Sequence, residues 1–179
     1  MHKTEAQYAQ VIQACKQVFE DKNKDYDTAW RILRLPSFTD QIMIKAKRIR
    51  TIQEKKQQVA DNVTTELVGI VNYAILALIQ IALAKDKRLS IPYDEIAGHY
   101  DTIAHKNMLL LTQKNHDYAE AWREMRVASM VDIILMKLLR IKKIEDNKGY
   151  TISSEGVTAG YQDIVNYAVF SLIQLSFVY

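Results

Sequence analysis

Few residues in this chain could punctuate short strands: it has five glycines and two prolines in 179 residues. A sheet protein of this length needs many more turn signals, so helices are expected. Cys15 is the single cysteine, which excludes an internal disulfide, and no CxxC or His/Cys cluster suggests structural zinc. It reads as a small apolar residue of the first helix. Excess charge is missing too. The net charge is +3 with both signs mixed along the chain, so the basic stripe that duplex nucleic acid demands is not there. No GxGxxG, P-loop, nucleophile elbow or HExxH pattern occurs. The N-terminal MHKTEAQYAQ lacks a signal-peptide run, so a cytoplasmic protein is expected. The most apolar stretch, Leu67 to Ala84, is broken by Asn72, Tyr73 and Gln80 and recurs at the C-terminus. That pattern fits a buried core helix better than a membrane span.

What the chain does have is a duplication. KNKDYDTAWRILR from Lys22 and KNHDYAEAWREMR from Lys114 agree at eight of thirteen positions. IVNYAILALIQIAL from Ile70 and IVNYAVFSLIQLSF from Ile164 follow at nearly the same distance. Two elements repeated in the same order define a tandem repeat. The fold expected is therefore all-α, two pseudo-symmetric repeats of about four helices each (1–88 and 89–179) that share one core.

Hydrophobic spacing supplies the helices. Tyr8, Val11, Ile12, Cys15, Val18 and Phe19 recur at steps of three and four, which marks a first helix from Thr4 to about Asp21. KNKDY reads as a loop in which Asp25 caps a short helix through Arg34. Leu35-Pro36-Ser37 ends that helix, a third spans about Asp40 to Lys56, and an apolar fourth ends near Ala84. KDKRLSIPYDE, from Lys85, reads as the linker. The second copy follows the same order: Ile96 to Gln113, KNHDY with its short helix, about Asp132 to Glu145, then from about Ala159 almost to the end.

Polar residues on apolar surfaces mark the candidate site. Lys137 and Arg140 interrupt a broadly apolar helix three residues apart and so share a face, as do Lys45 and Arg48 in the first copy. An enclosed cation without a partner costs several kcal/mol, so these should meet protein carboxylates or a bound anion. On the last helix Asp163, Asn166, Tyr167 and Gln174 form a narrow polar stripe. The first copy repeats it with Asn72, Tyr73 and Gln80, but has Gly69 in place of the aspartate. KNxDY adds Lys22, Asn23, Asp25 and Tyr26, then Lys114, Asn115, Asp117 and Tyr118, with Asp25 and Asp117 as candidate partners of the cations. Trp30 and Trp122 could wall a pocket for a planar ring.

Cations, carboxylates, asparagines and aromatic rings in one place suit a phosphorylated, ring-bearing ligand, and nucleotide is the leading class. The other reading is non-catalytic: a helical interaction module whose seam is an internal ion-pair network. Histidine does not carry the chemistry, because His116 is Lys24 in the other copy and His99 and His105 do not share a face.

With KNxDY and its tryptophan, then Lys-x-x-Arg, then Asn-Tyr on an apolar helix, the sequence resembles the nucleotide modification associated domain 1 family in its bacterial two-copy form. The resemblance implies a role near nucleotide or modified-base metabolism. Members commonly carry glycine after the motif tyrosine, where this chain has Asp27 and Ala119. Phage members often carry two aspartates one turn apart before Asn-Tyr. Here only Asp163 remains, with Ala159 at the earlier position and Thr65 and Gly69 in the first copy. The layout is also similar to all-α nucleoside triphosphate pyrophosphohydrolases, although their ExxE and ExxD pattern is absent.

The expectation is thus a nucleotide-binding protein. In its enzymatic version, a phosphohydrolase, Asp163, Glu155 and Asp117 hold magnesium while Lys137 and Arg140 hold phosphate. The second copy is the better candidate on this reading, because only it keeps the helix-four aspartate.

Overall fold

Among the described residues, six long α-helices and two short 3₁₀ helices follow one another in two matching sets. The computed structural model describes residues 2–55, 60–118, 120–152 and 155–178, with the side chains among them except those at 2, 60, 61 and 114–118. The first set is α1 (His2–Tyr26), a 3₁₀ helix (Ala29–Ile32), α2 (Leu35–Glu54) and α3 (Ala60–Ala82). The second is α4 (Tyr93–Tyr118), a 3₁₀ helix (Ala121–Glu124), α5 (Val127–Asp146) and α6 (Val157–Gln174). The all-α class and the four-element repeat agree with the sequence.

Several boundaries differ, each for a local reason. KNKDY is not a loop but the last turn of α1, and Asp25 is an exposed helical residue rather than a cap. The helix stops one residue later at Asp27, which adopts φ 52° and whose N–H still reaches the Asn23 carbonyl at 2.8 Å. This left-handed position favours glycine, which accounts for the glycine common after the motif tyrosine. Pro36 does not terminate a helix either. It sits in the first turn of α2, where its missing N–H and fixed φ cost nothing. The segment before α4 is also no loose linker. Thr28 Oγ1 donates to the Leu89 carbonyl at 2.6 Å and accepts from the Ile91 N–H at 3.1 Å, and Ile91 is buried.

Packing follows from hydrophobicity. The two most apolar helices, α3 and α6, lie against each other at the centre, with α2 on α3, α5 on α6 and α2 on α5. Helices α1 and α4 cross this group, and each touches both α3 and α6. The buried apolar side chains of both copies form one continuous cluster. Asn62–Ala82 is long and apolar enough to cross a membrane, but 67% of its most apolar window is buried inside the protein, which is how a core helix behaves.

Two crossed hydrogen bonds tie the copies together. Tyr8 on α1 donates to Asn166 Oδ1 on α6 at 2.9 Å, and Tyr100 on α4 donates to Asn72 Oδ1 on α3 at 2.7 Å. Tyr8 and Tyr100 are equivalent positions, as are Asn72 and Asn166, so the contact is made twice about a pseudo-twofold axis. The stripe glutamines hold the short helices. Gln174 donates to the carbonyls of Trp122, Arg123 and Met125, and Gln80 to those of Arg31 and Leu33.

Candidate functional site

A hollow of about 590 Å³ opens between the end of α1, the first 3₁₀ helix, α2 and the start of α3. Its size is that of a small-molecule site. The last turn of α1 brings Lys22, Asn23 and Tyr26 to one wall, the 3₁₀ helix brings Trp30, α2 brings Lys45, and α3 brings Asn72 and Tyr73. Phe177, just past α6, reaches the same hollow from the other repeat. Seven residues expected on the sequence therefore do meet in the first copy. Asp25 and Arg48 are not among the wall residues.

Core packing sets the aromatic wall. Phe38, fully buried, meets Trp30 edge-on at 6.4 Å and Tyr73 edge-on at 6.3 Å, holding both rings at the rim of the hollow. Among the described residues, two polar atoms here have no partner: Asn23 Oδ1, an acceptor, and Trp30 Nε1, a donor, are both shielded from solvent. Trp122 Nε1 in the second copy is shielded and unpartnered in the same way, so the orphan indole N–H is common to both copies.

The cations meet carboxylates, though not those expected. Glu66, on the first turns of α3, lies 3.3 Å from the Lys45 ammonium and 3.1 Å from the Arg48 guanidinium. Asp25 makes no ion pair among the described residues, and Asp117 lies outside the described side chains together with Lys114, Asn115 and Tyr118. Glu66 is the residue that reading the sequence missed. It stands one turn before Gly69, where the second copy has Gly160, so the acid has moved along the helix between copies. Lys45 also lies over the Tyr73 ring, 5.8 Å from its centre.

Asn72 is already committed to the fold. Its Oδ1 accepts from Tyr100 and its Nδ2 donates to the Cys15 carbonyl at 3.0 Å, and only 8% of the residue is exposed. Reading a base edge is therefore not open to it. Burial also pushes the Cys15 thiol up to about 12 and the Tyr100 hydroxyl well above its usual range, which leaves both inert as acids.

The second copy has diverged. Trp122 is 6% exposed, stacked on Phe170 with ring centres 4.3 Å apart and covered by the Arg123 guanidinium at 4.4 Å. Phe170 stands where the first copy has Leu76, and its larger ring closes against the tryptophan. Lys137 forms a 2.6 Å ion pair with Asp163, and Arg140 on the next turn is exposed. These residues border a second hollow of about 390 Å³ with Glu155. Tyr167 packs edge-on to Phe170, and Asn166 serves the Tyr8 lock.

Of the three carboxylates expected to hold magnesium, Asp117 lies outside the described side chains and the other two are not brought together as a pair of free ligands. The Lys137 ammonium holds Asp163, where a divalent ion would need it, and Glu155 is an exposed loop residue. Among the described residues no three His, Cys, Asp or Glu side chains gather. Asp163, the residue that distinguishes the second copy, neutralises its own lysine.

One family model matches the chain twice, over residues 22–81 and 114–175, and its description is nucleotide modification associated domain 1. Each segment opens on the KNxDY lysine and closes just past the stripe glutamine, and the first contains Lys22, Asn23, Trp30, Lys45 and Tyr73 of the first hollow. Curated proteins and solved structures give no significant match.

Proposed function

We propose that this chain, which belongs to the nucleotide modification associated domain 1 family, binds a nucleotide-class small molecule in the hollow of its first repeat. The observation that carries this reading is an aromatic wall, Trp30 and Tyr73, facing two lysines, Lys22 and Lys45, in one ligand-sized space. A heterocycle offers the flat face and the hydrogen-bonding edge that such a wall lacks, and a phosphate offers the anion that Lys22 and Lys45 attract. The reading is binding rather than hydrolysis: Glu66 is engaged by Lys45 and Arg48, and Asp163 by Lys137.

The test is a thermal-shift panel of nucleosides and nucleotides, with and without magnesium, followed by tryptophan fluorescence. A ligand at a hundred times its Kd stabilises by about 2.7 kcal/mol, a rise of several degrees at this chain length. Trp30 emission should change on binding. No shift at millimolar concentration across the panel would end the reading.

The second reading, an interaction module held by an internal network, is favoured by the Lys45–Glu66–Arg48 and Lys137–Asp163 contacts. Those contacts complete the seam without any ligand. They leave the open, aromatic-walled hollow of the first repeat without a role, and for that reason it ranks second.

A further inference from the structure

The two copies differ most where Gly69 faces Asp163. A β-carbon at Gly69 would lie 2.9 Å from Lys45 Cε, 3.0 Å from Cδ and 3.1 Å from Nζ. The lysine thus lies along bare helix backbone, and the missing side chain is what lets its ammonium reach the hollow beside Tyr73. In the second copy the corresponding Lys137 is drawn to Asp163 at 2.6 Å. Lys45 has a looser partner, Glu66 at 3.3 Å, which it shares with Arg48.

Resting on the ligand reading above, we infer that Gly69 makes Lys45 the anion seat of the first hollow and that the ligand is a nucleoside monophosphate. Lys22, on α1, is the second lysine lining the same hollow. A phosphate monoester carries close to two negative charges near neutral pH, which two ammonium groups match. A triphosphate exceeds that charge. Gly69 is therefore a specificity-determining residue, and the aspartate at its equivalent has closed the second copy to anions.

Titration calorimetry of the full chain with the four deoxynucleosides and their 5′-mono- and triphosphates tests this. For the wild type, a monophosphate should bind at least about tenfold tighter than its own nucleoside, a difference of about 1.4 kcal/mol, and tighter than the triphosphate. Gly69→Asp, which installs the arrangement of the second copy, should bring the monophosphate down to the nucleoside's affinity while nucleoside binding changes by less than about twofold. Its new side chain displaces only the flexible end of Lys45, so the fold should survive, and Lys45→Met gives the same comparison without a glycine replaced. Equal wild-type affinity for nucleoside and monophosphate, a preference for the triphosphate, or a monophosphate preference that survives in both variants would overturn the inference and leave the hollow a nucleoside site. Absence of binding by every compound would overturn the ligand reading itself.

Discussion

Glu145 shows how one side chain can make stability depend on pH. It ends α5 half-buried, accepting from Thr39 Oγ1 at 2.8 Å beside the Tyr161 hydroxyl, and Thr39 and Tyr161 are themselves fully buried. Burial holds its carboxyl above the usual range, against the pull of the two hydroxyls. A raised carboxyl favours the folded state while protonated. That stability is complete below the unfolded value of about 4.3 and is lost as pH rises through the folded one. Glu145→Gln keeps the acceptor and removes the charge. Its melting temperature should exceed the wild type's at pH 7 and meet it near pH 4, with solvent screening holding the difference under about 1 kcal/mol. A variant less stable than wild type at pH 7 would mean that the ionised carboxylate itself stabilises the site.

At the scale of the helices, the crossed tyrosines make unequal demands. Tyr100→Phe keeps the stack on Phe19, whose ring lies 5.4 Å away at 14°, and removes only the hydroxyl. It leaves Asn72 Oδ1 buried without a donor, which should cost about 1–3 kcal/mol. Tyr8→Phe leaves Asn166, which is more exposed, able to take a water instead, so the loss should be nearer about 0.5 kcal/mol. Denaturant melts of the two variants measure the difference, and equal losses would show that burial of the asparagine does not set the cost.

Much of this scale was legible in the sequence, because helix periodicity and a duplicated segment are local patterns. The polar stripe was legible as a stripe, but not what it served. The partner of Asn72 is 28 residues away and that of Asn166 is 158 residues away, and no periodicity links positions on different helices. KNKDY looked like a loop because it is polar and lacks the glycine that usually ends a helix. Asp27 takes the left-handed turn instead, and the helix continues through the motif to reach it. Glu66 was overlooked because the copies were compared at Asp163, while the acid of the first copy sits one turn earlier.

At the scale of the whole molecule, the pseudo-twofold axis makes each half complementary to itself. Residues 1–88 alone would expose the face of α3 that packs on α6 and the face of α2 that packs on α5, and the shared cluster would be cut through its centre. With its core open on one side, this fragment should not hold together as a monomer. It does carry both members of the lock, however, since Tyr8 is equivalent to Tyr100 and Asn72 to Asn166. Two copies of 1–88 can place Tyr8 of each against Asn72 of the other, with α3 on α3 where the full chain has α3 on α6. The fragment should therefore sediment as a dimer whose melting temperature rises with concentration, and Tyr8→Phe should weaken that dimer. In the full chain the same substitution breaks one lock; in the fragment dimer it breaks both, so its effect there should be larger. A folded 1–88 monomer with concentration-independent melting would show that the halves are separate domains and that the core is not truly shared.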